Sequence, residues 1–174
     1  QELKHHNAIY AEISQQCKLI VEQKERIKTL EKQIREDPLT GLQNRRYLDL
    51  QLSLEFERSR RYDQNLTLVM ADIDHFKTIN DKFSHLIGDK VLKEIAKILR
   101  HHCRRIDITA RYGGEEFVLL LPMTNVETAY RVCERIRTTI ETYDWRKIHP
   151  ELAVTISMGI SDSFGVSTYH DQLA

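Results

Sequence analysis

The stretch RYGGEEFVLLLP, residues 111–122, sets two glycines and two glutamates directly ahead of an apolar run. A glycine pair between strand-like segments predicts a tight hairpin, because glycine alone accepts positive φ without a steric penalty. EFVLLLP (116–122) then reads as a buried strand, and DITARY (107–112) as its hairpin partner. A hairpin in mid-chain excludes a purely parallel, doubly wound sheet.

Working outward, LTLVMADID (66–74) is rich in strand formers and ends in acids. Residues 79–102 read as one helix, with Val91, Leu92, Ile95, Ile98 and Leu99 on a 3.6-residue period. Residues 126–144 predict another helix, and LAVTISMGIS (152–161) another strand. Upstream, Pro38 ends a helix near Glu36-Asp37, and DPLTGL (37–42) makes a turn. Thr40 is the expected cap of a second helix, whose apolar face is Leu48, Leu52 and Phe56. The order implies an α/β fold: a mixed central sheet flanked by helices.

Residues 1–36 contain neither Gly nor Pro, and Ile13, Ile20, Ile27 and Ile34 recur every seven residues. Ile9 and Leu30 occupy the other seam position, which Gln16 and Gln23 interrupt. That period predicts a parallel two-stranded coiled coil, hence a homodimer through the N-terminal helix. The alternative is one amphipathic helix packed on its own domain.

The chain of 174 residues has a formal net charge of zero, which disfavours nucleic acid as a partner. No apolar run reaches the roughly 18 to 20 residues of a membrane span. The three cysteines, Cys17, Cys103 and Cys133, read as reduced thiols, and the expected location is the bacterial cytoplasm. Without an initiator methionine the chain is expected to be a fragment; the full-length protein would carry an upstream sensor domain and a possible membrane attachment. His101, His102 and Cys103 do not converge on a metal ion, since adjacent helical residues point about 100° apart.

Asp72 closes one predicted strand, Asp74 shares its face if the strand continues, and Glu115-Glu116 sit at the hairpin. One such cluster reads more readily as solvated surface. Two at adjacent strand ends favour a hard cation such as Mg²⁺. Lys77, near a helix start, is a candidate triphosphate contact. Asn80 and Asp89 offer an amide oxygen and a carboxylate that match the donor edge of guanine, although residue type alone does not single out that ligand.

DPLTGLQNRRYLD, DIDHFKTINDKFSHLIGD and RYGGEEF, in this order and spacing, closely resemble the GGDEF domain of bacterial diguanylate cyclases, over residues 37–174. The resemblance implies a polymerase-palm or nucleotidyl-cyclase-like fold. It also implies condensation of two GTP into cyclic di-GMP with release of two pyrophosphates. By the same likeness, Asp72 and the Ile73 carbonyl bind metal, Glu115 bridges metal and phosphate, and Glu116 ligates metal or helps deprotonate the attacking 3′-OH. Asn80 and Asp89 match the guanine-reading pair, and Phe76 and Lys77 the phosphate-binding loop. Gly113 and Gly114 allow close approach of the nucleotide. Two Mg²⁺ ions per site are implied, roughly 3.5–4 Å apart and replaceable by Mn²⁺. Each domain holds one GTP, so the reaction needs a dimer. Arg104 and Asp107 match the family's inhibitory product site, with Arg135 a secondary contact. A non-catalytic receptor for cyclic di-GMP or GTP is the alternative.

Two departures stand out. Ser84 precedes His85 where the family usually has Gly, so a positive φ there would strain the loop. The chain stops at HDQLA, where the family's final helix is expected to begin.

Overall fold

The protein is described here by a computed structural model covering residues 2–162, with side chains from residue 12 onward. The expectation about the final helix lies outside these residues. Two compact units form, Gln1–Arg35 and Glu36–Ala174. The first is helix α1, Glu2–Arg35. Its seam residues Ile13, Ile20, Ile27 and Ile34 are exposed in the single chain. No helix among the described residues is long and apolar enough to cross a membrane.

The second unit is built on a five-stranded sheet in the order β1-β3-β4-β2-β5. The strands are β1 (Gln43–Asn44), β2 (Leu66–Ile73), β3 (Ile108–Arg111), β4 (Glu116–Pro122) and β5 (Ile156–Asp162). Only β1 and β3 pair in parallel; the other neighbours are antiparallel, so the sheet is mixed as expected. Period-two alternation gives each face its own core. Leu66, Leu68, Val118 and Leu120 meet Leu48, Leu52 and Phe56 of helix α2 (Arg45–Tyr62). Val69, Ala71, Ile73, Phe117, Leu119 and Leu121 share a second cluster with α4 (His85–His102) and α5 (Val126–Thr142). Each fully buried Leu or Phe contributes roughly 1.5–3 kcal/mol relative to exposure.

Four local expectations need correction. Helix α2 is capped by Asn44, whose side chain accepts from the Tyr47 N–H at 2.9 Å. Thr40 instead donates through its N–H and hydroxyl to Asp37 Oδ1 at 2.8 and 2.7 Å, closing the DPLT turn. The helix expected over 79–102 is two helices, α3 (Phe76–Phe83) and α4, because Ser84 between them has φ 92° and ψ 157°. Strand β5 begins at Ile156 rather than 152. Finally, Gly41 is the one glycine with positive φ among the described residues, so the Gly113-Gly114 pair is not explained by left-handed backbone.

Candidate active site at the end of the central ladder

Strands β2 and β4 stay in register from Leu66 opposite Pro122 to Asp72 opposite Glu116. The ladder therefore ends on two acidic residues in opposed positions, a pairing that costs stability where like charges lie directly opposite. Asp72, Glu115 and Glu116 make no ion pair with Lys or Arg among the described residues. Partial desolvation at the sheet end, then the Asp74 charge, push the Asp72 carboxyl above its usual range. Glu115 is tied to the neighbouring strand through its carbonyl, which accepts from the Ile73 N–H at 3.4 Å.

Asp74 does not continue the alternation, because β2 ends at Ile73. Its two carboxylate oxygens accept from the Thr155 and Ser157 hydroxyls, each at 2.6 Å. It braces the end of β5 and leaves Asp72 as the acid presented from this strand. Among the described residues no three His, Cys, Asp or Glu side chains are gathered as a metal ion would hold them. Asp72 and Glu116 supply two hard oxygen donors with uncompensated charge, which suits Mg²⁺ completed by main-chain carbonyls, water or phosphate.

The hairpin glycines have distinct roles. A Cβ at Gly113 would collide with Glu116 Oε2, so glycine is what lets the carboxylate fold over the turn. A Cβ at Gly114 would meet nothing within 4 Å, leaving open space above it. The Arg111 guanidinium holds the turn from below: Nε lies 3.2 Å from the carbonyls of Gly113 and Gly114, and Nη2 lies 2.7 Å from that of Gly114. Its Nη1 reaches both carboxylate oxygens of Asp37 at 3.3 Å. Sequence reading missed this brace, since the partners are 74 residues apart. Their local signal is confined to membership of two motifs, Asp37 in DPLTGL and Arg111 in RYGGEEF.

Next to the ladder, α3 begins at Phe76 after His75, which has φ 56° and gives no side-chain cap. The Phe76 side chain is buried in the core, so a phosphate contact at this position would come from its main chain. Lys77 is exposed and in no ion pair among the described residues. Asn80 and Asp89 lie on successive helices joined through Ser84: the Ser84 N–H donates to the Asn80 carbonyl at 2.9 Å, and the Gly88 N–H to the Ser84 carbonyl at 3.1 Å. A Cβ at Gly88 would collide with Asn80 Oδ1, so Gly88 makes room for the amide beside Asp89.

A separate cavity of about 330 Å³ is lined by residues including Gln43, Tyr47, Cys103, Arg104 and Asp107. Asp107 Oδ2 accepts from the Arg104 N–H at 2.7 Å, while Asp107 Oδ1 and Gln43 Oε1 are buried without a partner among the described residues. Burial raises the Asp107 pKa despite the opposing Arg104 hydrogen bond and charge. Arg135 does not line this cavity; its guanidinium is bound to His102.

The chain matches the family described as "Diguanylate cyclase, GGDEF domain" over residues 34–172. It is 49% identical over 125 residues to diguanylate cyclase DgcP of Pseudomonas aeruginosa, covering 72% of this chain and 19% of that protein. It is 44% identical over 131 residues to the response regulator PleD of Caulobacter vibrioides, covering 74% of this chain and 29% of that protein. Among solved structures, diguanylate cyclase SiaD of Pseudomonas aeruginosa, crystallised in complex with its activator SiaC, superposes with a TM-score of 0.75 at 37% identity. That match covers 99% of this chain and 67% of SiaD. The chain thus spans less than a third of DgcP or PleD. Because the family match takes in nearly all of the second unit, including the hairpin, the ladder end and both helices beside them, this chain belongs to the GGDEF family of diguanylate cyclases.

Proposed function

We propose that the chain condenses two GTP into cyclic di-GMP with release of two pyrophosphates, across a dimer formed through α1. The observation that carries this reading is the facing pair Asp72 and Glu116 at the ladder end, beside a helix break that sets Asn80 next to Gly88-Asp89. Asp72, the Ile73 carbonyl, Glu115 and Glu116 are the proposed metal ligands. Asn80 and Asp89 read the guanine donor edge. Lys77 and the main-chain N–H groups opening α3 receive phosphate oxygens. Gly114 leaves the space through which the nucleotide approaches.

Each 3′-oxygen forms a bond to the α-phosphorus of the opposite GTP while the bond from that phosphorus to the departing pyrophosphate breaks. The hydroxyl proton passes to Glu116 or through it to water. When bound, Mg²⁺ polarises the α-phosphate and offsets charge on the leaving group. One domain presents one GTP, so a second copy must supply the other. The exposed isoleucine seam of α1 supports that pairing. Arg104, Asp107 and Arg135 are proposed to bind cyclic di-GMP and restrain the enzyme.

The test is incubation with GTP and Mg²⁺ at concentrations where the chain is dimeric, with chromatography for cyclic di-GMP and pyrophosphate. Synthesis that Glu116→Ala abolishes, with no cyclic product from ATP, supports the reading. Absence of synthesis alongside retained cyclic di-GMP binding replaces it with the receptor.

A further inference from the structure

Helix α4 ends on His102, and this imidazole is the hub of a closed network with α5. Arg135 donates from Nε to His102 Nδ1 at 2.9 Å and from Nη2 to the His102 carbonyl at 3.0 Å. Thr139 Oγ1 lies 3.1 Å from His102 Nε2, and its hydroxyl donates to the Arg135 carbonyl at 2.7 Å. One hydroxyl proton serves one acceptor, so Thr139 accepts from His102 and the ring hydrogen sits on Nε2. Nδ1 is then the bare nitrogen that the guanidinium requires. The network closes only with a neutral ring in this one tautomer.

Two of the three guanidinium nitrogens are thereby occupied, and Nη1 has no partner among the described residues. Through the His102 carbonyl Arg135 is held next to Cys103, which lines the cavity holding Arg104 and Asp107. An arginine fixed in this way meets an incoming phosphate or purine edge with its ordering cost already met.

We propose that His102 is the positioning residue of the second nucleotide site: its neutral imidazole holds Arg135 ready beside the Arg104–Asp107 cavity, and protonation releases it, so cyclic di-GMP binding there weakens as pH falls. This rests on reading Arg104, Asp107 and Arg135 as that site. Protonation puts a hydrogen on Nδ1, where it opposes the Nε–H of Arg135 and sets two cations against each other. Arg135 and Thr139 face the ring from α5. From its own helix it is faced by His101, whose ring lies edge-on at 5.5 Å, with Cys103 adjacent. Burial first, then Arg135 and His101, hold the His102 pKa below its ordinary value, in keeping with a neutral resting state.

Cyclic di-GMP is a good probe, because its phosphodiesters do not titrate between about pH 5 and 8, where histidine does. The experiment is calorimetric titration of the whole chain with cyclic di-GMP across that range. The wild type should lose roughly five- to tenfold in affinity toward the acid end. His102→Asn places an amide oxygen where Nδ1 accepts, and should keep the high affinity at all pH values. His102→Ala should stay weak throughout, and His101→Gln should retain the wild-type step. The Asn variant also separates His102 from Asp107, whose raised pKa persists in both proteins. Binding abolished by Arg104→Ala but indifferent to His102→Ala and to pH overturns the role of His102 alone. Tighter binding in His102→Ala overturns it as well. Binding that survives Arg104→Ala overturns the site reading, and this proposal with it.

Discussion

Arg111 joins Asp37 to the glycine hairpin: its Nη1 lies 3.3 Å from both Asp37 carboxylate oxygens while its Nε and Nη2 hold the carbonyls of Gly113 and Gly114. Both side chains are 17% exposed, so the pair is shielded from solvent. Asp37 follows the end of α1 by two residues, which puts one end of the brace directly after the helix. Arg111→Ala should lower stability by about 1.5–3 kcal/mol through lost charged hydrogen bonds. It should reduce turnover far more, because the turn that carries Glu115 and Glu116 loses its support. Comparing denaturant midpoints with initial rates checks this; rates that fall only in proportion to the folded fraction would refute a positioning role.

The same pair sets an acid limit on stability. Burial alone would raise the Asp37 pKa, but the Thr40 hydroxyl and N–H, then Arg111, outweigh it and hold the group below its usual value. A depressed folded pKa contributes stability above the unfolded value, near 3.9, and loses it as pH falls through the folded value. Asp37→Asn should therefore destabilise by a constant amount at neutral pH, and the gap from wild type should close below about pH 4. Urea midpoints measured from neutral to acid pH give the comparison.

Asp72 has the opposite sign. Its folded pKa is raised, so its favourable contribution is complete only below the unfolded value and is lost as pH climbs through the folded one. Asp72→Asn should then be at least as stable as wild type at neutral pH without metal. Millimolar Mg²⁺ should raise the melting temperature of the wild type and leave that of Asp72→Asn unchanged. Equal Mg²⁺ effects on both proteins would remove Asp72 from the proposed ligands.

Ser84 bears φ 92° at the break between α3 and α4, a region costly for any residue with a Cβ. Ser84→Gly should relieve about 1 kcal/mol and raise the melting temperature by roughly 2–4 °C. Because the Ser84 N–H and carbonyl bind Asn80 and Gly88, the main-chain hydrogen bonds should persist and the affinity for GTP should not fall.

The two hairpin glycines should part company. Gly113→Ala drives a methyl group into Glu116 Oε2 and should cost most of the activity while the fold survives. Gly114→Ala meets no protein atom within 4 Å, so its melting temperature should match wild type. If nucleotide passes over Gly114, KM rises in that variant; an unchanged KM places the nucleotide elsewhere.

Much of the architecture was legible because its signals are local. Near-continuous apolar runs in LTLVMADI and EFVLLLP dictated strands buried on both faces, and Leu48, Leu52 and Phe56 dictated the buried stripe of α2. The break at Ser84 was not legible as a helix end, since the 3.6-residue period of α4 begins close behind α3 and serine seldom takes positive φ. The pairing of Gly113 with Glu116 was hidden for another reason. A glycine's conformational freedom can be guessed from sequence, but a collision it avoids belongs to three dimensions.

By itself the sequence determined the mixed α/β layout, the seven-residue period of α1 and the residue types grouped in the three motifs, because propensity and periodicity act over a few neighbouring residues. Tertiary structure alone decided that Asp72 faces Glu116, that Asp74 is spent on Thr155 and Ser157, and that Asp37 reaches Arg111 across 74 residues. It also seated Arg135 on His102. These contacts depend on strand register and helix packing, which are set by burial summed over the whole core rather than by any one segment.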